Sequence, residues 1–288
     1  MDANAPIGIF DSGVGGLTVM REIIRQIPEE RLIYYGDTAR VPYGNKSKST
    51  IIRYTRQIIR FLEKQKVKAI VAACNTVSAC ALGEIEQEFD IPIIGVVEPG
   101  ASVAIKSTKN SKIGIIGTEG TINSGIYQEL IKKKNPSIEV FLKACPLLVP
   151  LVEEGLLEDS ITDEITRRYL QELKEDHIDT LVLGCTHYPL LRSTVSKIIG
   201  EKVKLVNPAY ETAIELKRLL EQKNLISQVK TDTISGSKKI ASKENGTNNG
   251  KYRYFVSDAA DKFAKFASSI LAQAYGVVEV NVDRVDDE

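Results

Sequence analysis

The chain has 288 residues, with 38 Lys+Arg against 38 Asp+Glu, 43% hydrophobic and 26% charged residues. At about 150 residues per domain this length suggests two domains or one large α/β unit, and the average composition excludes a disordered, collagen-like or coiled-coil chain. A net charge of zero leaves no overall cationic excess to hold a phosphate backbone, so no nucleic-acid partner is expected. The opening Met1–Pro6 lacks the basic end and apolar stretch of a signal peptide, and no apolar run approaches a membrane span. A cytoplasmic chain with no membrane partner is expected.

In chain order, short β-rich apolar runs predict strands at Ile7–Phe10, Leu32–Tyr35, Ala69–Ala73, Ile93–Val97, Ile113–Gly117, Ile138–Leu142, Thr180–Gly184, Val203–Val206 and Tyr252–Val256. Between the second and third of these, Ile51, Tyr54, Ile58, Phe61 and Leu62 recur at three- and four-residue steps and share one helix face. Phe263, Phe266 and Ile270 give Asp258–Ala272 the spacing of a packed helix. Ser235–Lys251, rich in Ser, Lys, Asn and Gly, reads as an exposed loop. Strands alternating with helices predict an α/β fold with mainly parallel sheets.

The plan occurs twice. Ile7-Gly-Ile-Phe-Asp-Ser-Gly13 is echoed by Ile113-Gly-Ile-Ile-Gly-Thr-Glu119, and Ala69-Ile-Val-Ala-Ala-Cys-Asn-Thr76 by Thr180-Leu-Val-Leu-Gly-Cys-Thr-His187. Two matches in the same order imply two pseudo-symmetric α/β lobes with a site in the cleft between them. In such sheets ligands bind beyond the carboxyl ends of the strands. Asp11, Cys74, Thr118 and Cys185 fall at that edge, each followed by small or hydroxylic residues suited to hydrogen-bonding a small carboxylate.

Of the four cysteines, too few and too scattered for a disulfide scaffold, Cys80 and Cys145 read as inert packing residues. Cys74 and Cys185 differ, because they end equivalent strands and have polar neighbours. The glycines of Asp11-Ser-Gly-Val-Gly-Gly16 match neither GxxxxGK[ST] nor GxGxxG and suit a tight turn. Cys185 and His187 lack the paired CxxC of a zinc site, so no metal is expected. A Cys-His hydrolase would leave Cys74 unexplained. Two thiols across a cleft instead suit inversion of a carbon centre, one removing a proton from one face and the other returning one to the opposite face. Asp11 would serve the first thiol and His187 the second, with backbone N–H groups and Asn75, Thr76 and Thr186 stabilising the substrate carboxylate.

These residues resemble the cofactor-independent glutamate racemases of bacteria. The resemblance runs from Ile7–Thr18 through Tyr35–Gly44, Ala73–Thr76, Pro150–Glu153 and Gly184–Leu190 to Asn207-Pro208. It implies interconversion of L- and D-glutamate, without a cofactor, to supply peptidoglycan synthesis. Cys74 would deprotonate D-glutamate and Cys185 L-glutamate, helped by Asp11, His187 and Glu153. Substrate would be bound by Asp11, Ser12, Tyr43, Gly44, Asn75, Thr76, Thr186 and His187, with Thr118 and Thr121 added. The family fold would place residues 1–97 and 208–288 in one lobe and 98–207 in the other; a homodimer is left open. The rivals are a racemase of aspartate or another small acid, a two-lobed amino-acid binding protein, and a pyridoxal enzyme, for which the strand-end motifs supply no lysine.

Overall fold

The computed structural model describes residues 2–227, 251–275 and 282–284, with side chains given outside 273–275. The loop predicted at Ser235–Lys251 lies outside the described residues except for Lys251. Among the described residues ten strands form two sheets. The first has six strands in the order β10-β9-β2-β1-β3-β4, built from β1 (Ile7–Asp11), β2 (Leu32–Gly36), β3 (Ala69–Ala72), β4 (Ile93–Gly95), β9 (Tyr252–Val256) and β10 (Val282–Arg284). The second has four in the order β6-β5-β7-β8, from β5 (Lys112–Gly117), β6 (Glu139–Ala144), β7 (Thr180–Gly184) and β8 (Lys204–Val206). Every pairing is parallel.

The internal echo is a repeat of topology. In the first sheet β1 lies between β2 and β3, with β4 beyond; in the second β5 lies between β6 and β7, with β8 beyond. The register repeats too: Ile7 sits opposite Ala69, as Ile113 sits opposite Thr180. Cys74 and Cys185, each five residues past those partners, therefore leave their sheets at equivalent points. The pairs Asp11/Gly117, Ser12/Thr118, Asn75/Thr186 and Thr76/His187 are equivalent by the same count.

Strands covered on both faces are apolar throughout, which is why period-two alternation is absent from them. On one face of the first sheet Ile7, Ile9, Tyr34 and Val71 pack with α1 (Leu17–Gln26), α11 (Pro208–Gln222) and α12 (Ala260–Tyr275). On the other, Phe10, Ile33 and Ile70 meet Ile51, Ile58 and Leu62 of α2 (Lys48–Lys64), whose first turn is closed by Ser47 Oγ accepting from the Thr50 N–H at 3.3 Å. Burying each of those three side chains contributes roughly 1.5–3 kcal/mol. The second sheet is covered by α5 (Val97–Ser107) and α7 (Ile126–Lys134) on one face and by α9 (Ser160–Glu175) and α10 (Arg192–Ile199) on the other.

Most predicted strands stand within a residue or two. The Ile93–Val97 strand is shorter, ending at Gly95, because Val97 opens α5. The edge strand β10 is an addition to the predicted set. No helix among the described residues is long and apolar enough to cross a membrane.

Candidate active site

A cavity of about 380 Å3 opens between the sheet edges. Ser12, Pro42 and Gly44 line it from one side and Thr118, Glu153 and His187 from the other. The two thiols sit behind this lining, only 5% and 6% exposed for Cys74 and Cys185. Ser12 and His187 cover them: the Cys74 thiol donates to Ser12 Oγ at 3.7 Å, and Cys185 Sγ lies 3.8 Å from His187 Nδ1.

Cys74 caps the N-terminus of α3 (Asn75–Cys80) at the end of β3. Burial pushes its thiol up, the neighbouring Asp11 carboxylate pushes it further, and it reaches about 12 although the Val77 N–H and Ser12 oppose. Asp11, fully buried at the end of β1, accepts the Gly13 N–H at 3.0 Å and the Thr186 hydroxyl at 3.5 Å. Burial raises this carboxyl above its ordinary range, while the attraction of His187 and the N–H groups of Gly13 and Gly16 restrain the shift.

Around Cys185 the chemistry is different. His187 Nε2 lies 3.1 Å from Glu153 Oε1, on α8 (Leu148–Glu153), so the ring joins the sulfur to a carboxylate. Burial works hardest against charge on His187. Hydrogen bonds to Cys185 and Glu153, with the Asp11 carboxylate nearby, more than offset it and push the imidazole up to about 10. Its bond to His187 in turn lowers Glu153, against the opposing effect of partial burial. His187 is the basic residue among those lining the cavity.

Polar groups from both lobes interlock beside the cavity at Thr118. Thr76 Oγ1 lies 2.9 Å from Thr118 Oγ1 and 3.5 Å from Thr121 Oγ1, and the latter two are 3.1 Å apart. Thr118 caps α6 (Glu119–Asn123) by accepting the Thr121 N–H. Tyr127 donates its hydroxyl to Asn75 Oδ1 at 2.9 Å. Gly44 allows close approach, since a Cβ there would stand 2.7 Å from Thr118 Cβ.

Of the residues singled out from sequence, Tyr43 is placed apart. Its ring is buried and its hydroxyl donates to Asp37 Oδ2, while the flanking Pro42 and Gly44 reach the cavity. Asp37 also accepts from Ser257 at 2.9 Å and meets Arg40 Nε at 3.2 Å, which fastens this loop to the end of β9. The sequence reading missed Pro146, Val149 and Pro150, which form the apolar wall of the cavity, and Tyr127. A wider groove of about 560 Å3, over Leu147, Ile161 and Tyr169, contains neither a thiol nor a histidine. Among the described residues no group of three or more His, Cys, Asp or Glu is placed to hold a metal.

Paired parallel lobes with a thiol at each equivalent strand end define a class. The Asp/Glu/hydantoin racemase pattern matches residues 7–215, and the chain belongs to that family. Glutamate racemase from Geobacter metallireducens is 46% identical over 272 residues, covering 94% of both chains. The glutamate racemase structure from Bacillus anthracis superposes with a TM-score of 0.87 at 38% identity, covering 99% of this chain and 98% of that one. The Francisella tularensis glutamate racemase, solved in complex with D-glutamate, gives 0.85 at 36% identity, with the same coverage. Within the family, the chain belongs with the glutamate racemases.

Proposed function

We propose that this chain interconverts L- and D-glutamate by proton transfer between Cys74 and Cys185, and that the product D-glutamate feeds peptidoglycan synthesis in the cytoplasm. The observation that carries this reading is the equivalence of the two thiols: same register, opposite lobes, and each in contact with a side chain that lines the cavity, Ser12 for Cys74 and His187 for Cys185. In the L-to-D direction the Cys185 thiolate takes the α-proton, and the electron pair passes into the adjacent carboxylate. The Cys74 thiol, held protonated by burial and Asp11, gives its proton to the opposite face. The reverse direction exchanges the roles, so each turnover leaves the protonation of the pair inverted, to be reset through Ser12 and Asp11 or His187 and Glu153.

The α-carboxylate must accept charge as the proton leaves. Hydroxyls of Ser12, Thr76, Thr118, Thr121 and Thr186, the Asn75 amide, His187 and the Gly44 backbone are the donors near the cavity; Tyr43 acts by holding the loop that carries Gly44. On this reading residues 1–97 with 208–288 form one lobe and 98–207 the other.

Circular dichroism of purified protein incubated with single enantiomers tests the assignment. L- and D-glutamate should both run to a signal of zero, with aspartate slower by roughly 10- to 200-fold, the discrimination a missing methylene gives. A stable glutamate signal, or faster turnover of aspartate, contradicts it.

A further inference from the structure

The turn between β1 and α1 belongs to the first lobe, yet it lies against the Cys185 turn of the second. Thr18, at the start of α1 and fully buried, has its Oγ1 2.9 Å from the Thr186 carbonyl oxygen and 2.9 Å from that of Gly15. In the Cys185 turn the Tyr188 N–H donates to the Cys185 carbonyl at 3.1 Å and the Leu190 N–H to that of His187 at 3.1 Å. The Thr186 carbonyl between them receives Thr18. Gly15 completes the contact: a Cβ there would stand 2.2 Å from Thr186 Oγ1 and 2.5 Å from His187 Nδ1. Its φ is outside the left-handed region, so space and not backbone freedom explains the glycine.

We propose that Thr18 and Gly15 are positioning residues for the opposite lobe's base: the hydroxyl fixes the Thr186–His187 peptide, and the missing side chain lets His187 Nδ1 lie against Cys185 Sγ. The first lobe thereby sets the geometry of the second thiol, and both thiols take their positions from the β1–α1 turn, since Asp11 and Ser12 beside Cys74 open that same turn. A hydroxyl shared by two carbonyls across a lobe boundary forms only when the lobes are together, so this contact couples lobe approach to alignment of the base. Misplacement on the ångström scale costs about 100-fold in rate, enough to make a non-contacting residue matter.

This inference rests on the roles proposed above, with Cys185 acting on L-glutamate. Thr18→Val, Thr18→Ser and Gly15→Ala are compared with wild type by steady-state kinetics in both directions, thermal midpoint and isotope effect with α-deuterated substrate. Because the equilibrium constant of a racemisation is one, kcat/KM must fall equally in both directions; the isotope effect separates the thiols. Thr18→Val should lose about tenfold in kcat with KM within twofold. Its isotope effect should rise with deuterated L-glutamate and fall with deuterated D-glutamate, as the Cys185 step becomes limiting in each. Thr18→Ser should recover to within about threefold. Gly15→Ala should fall by about 100-fold, and its thermal midpoint should fall as well because the added Cβ overlaps buried Thr186 and His187, which leaves the Thr18 pair to separate alignment from stability. Wild-type kcat in Thr18→Val, isotope effects unchanged, or equal losses in Val and Ser accompanied by a lower midpoint overturns the proposal. Failure of the racemase reading is distinguishable, because wild type itself would then leave both enantiomers unchanged.

Discussion

The two strand-end turns share a register but not a chemistry. In the first lobe Asp11 stands where the second has Gly117, and Thr76 stands where the second has His187. Cys74 therefore faces a hydroxyl and a buried carboxylate, and Cys185 faces an imidazole backed by Glu153. On the proposed mechanism a symmetric reaction would proceed between unlike partners. The backbone repeat supplies equivalent positions, and the departures from the repeat would supply different routes for resetting the proton on each sulfur. The hydroxyl of Thr76, equivalent to His187, instead joins Thr118 and Thr121 at the cavity lining.

The sharpest break of this comparison is removal of either thiol. Cys74→Ala and Cys185→Ala should each lose racemisation by more than about 1,000-fold, since general acid-base groups contribute typically 100- to 10,000-fold and both are needed in every turnover. Retained activity in one variant would reduce the pair to a single working base. His187→Asn should come next, with a loss of about 100-fold in kcat/KM in both directions and an isotope effect that rises with α-deuterated L-glutamate and falls with α-deuterated D-glutamate, as His187 serves one sulfur. Isotope effects unchanged from wild type would place His187 in substrate binding alone.

Glu153→Gln tests the relay more gently. With Glu153 and Cys185 holding the imidazolium, the basic limb of the wild-type pH profile should fall through about 10. The glutamine variant should lose about tenfold in rate, and that limb should move to lower pH. The linkage to stability has a definite sign. His187 is raised in the folded state above its ordinary 6.5, so its contribution is fully present below about pH 6.5 and is lost as pH rises through about 10. Denaturant midpoints of wild type and His187→Asn should accordingly differ more at pH 6 than at pH 10.5. The smallest effect belongs to Cys145→Ala. That thiol is fully buried and donates to the Lys143 carbonyl at 3.6 Å, whereas Cys74 and Cys185 meet Ser12 and His187 of the cavity lining, so turnover should stay within about threefold of wild type. A larger loss would make it a third working thiol.

What could be read from sequence was what repeats or alternates. Two apolar runs ending in cysteine at equal offsets placed Cys74 and Cys185, and a three- and four-residue period placed α2. What could not be read depends on contacts distant along the chain. Residue chemistry alone does not separate Glu153 from Glu154, and only the family resemblance singled out the first; in the fold Glu153 meets His187 at 3.1 Å, while Glu154 lies 3.7 Å from Lys262 of α12. Tyr43 lies in a motif that reaches the cavity through its neighbours while its own hydroxyl turns to Asp37. The proline wall at Pro146 and Pro150 comes from a loop and a six-residue helix with no strong period. Three residues at β10 are too few to carry a strand pattern.

Initial-rate racemisation in heavy water, followed by mass spectrometry of separated enantiomers, tests the opposed-thiol claim most directly. Started from either enantiomer, every product molecule should carry one deuterium at the α-carbon while the remaining substrate stays unlabelled. Product that keeps the substrate's own α-proton would contradict the account, because one group would then be carrying the proton around to the other face.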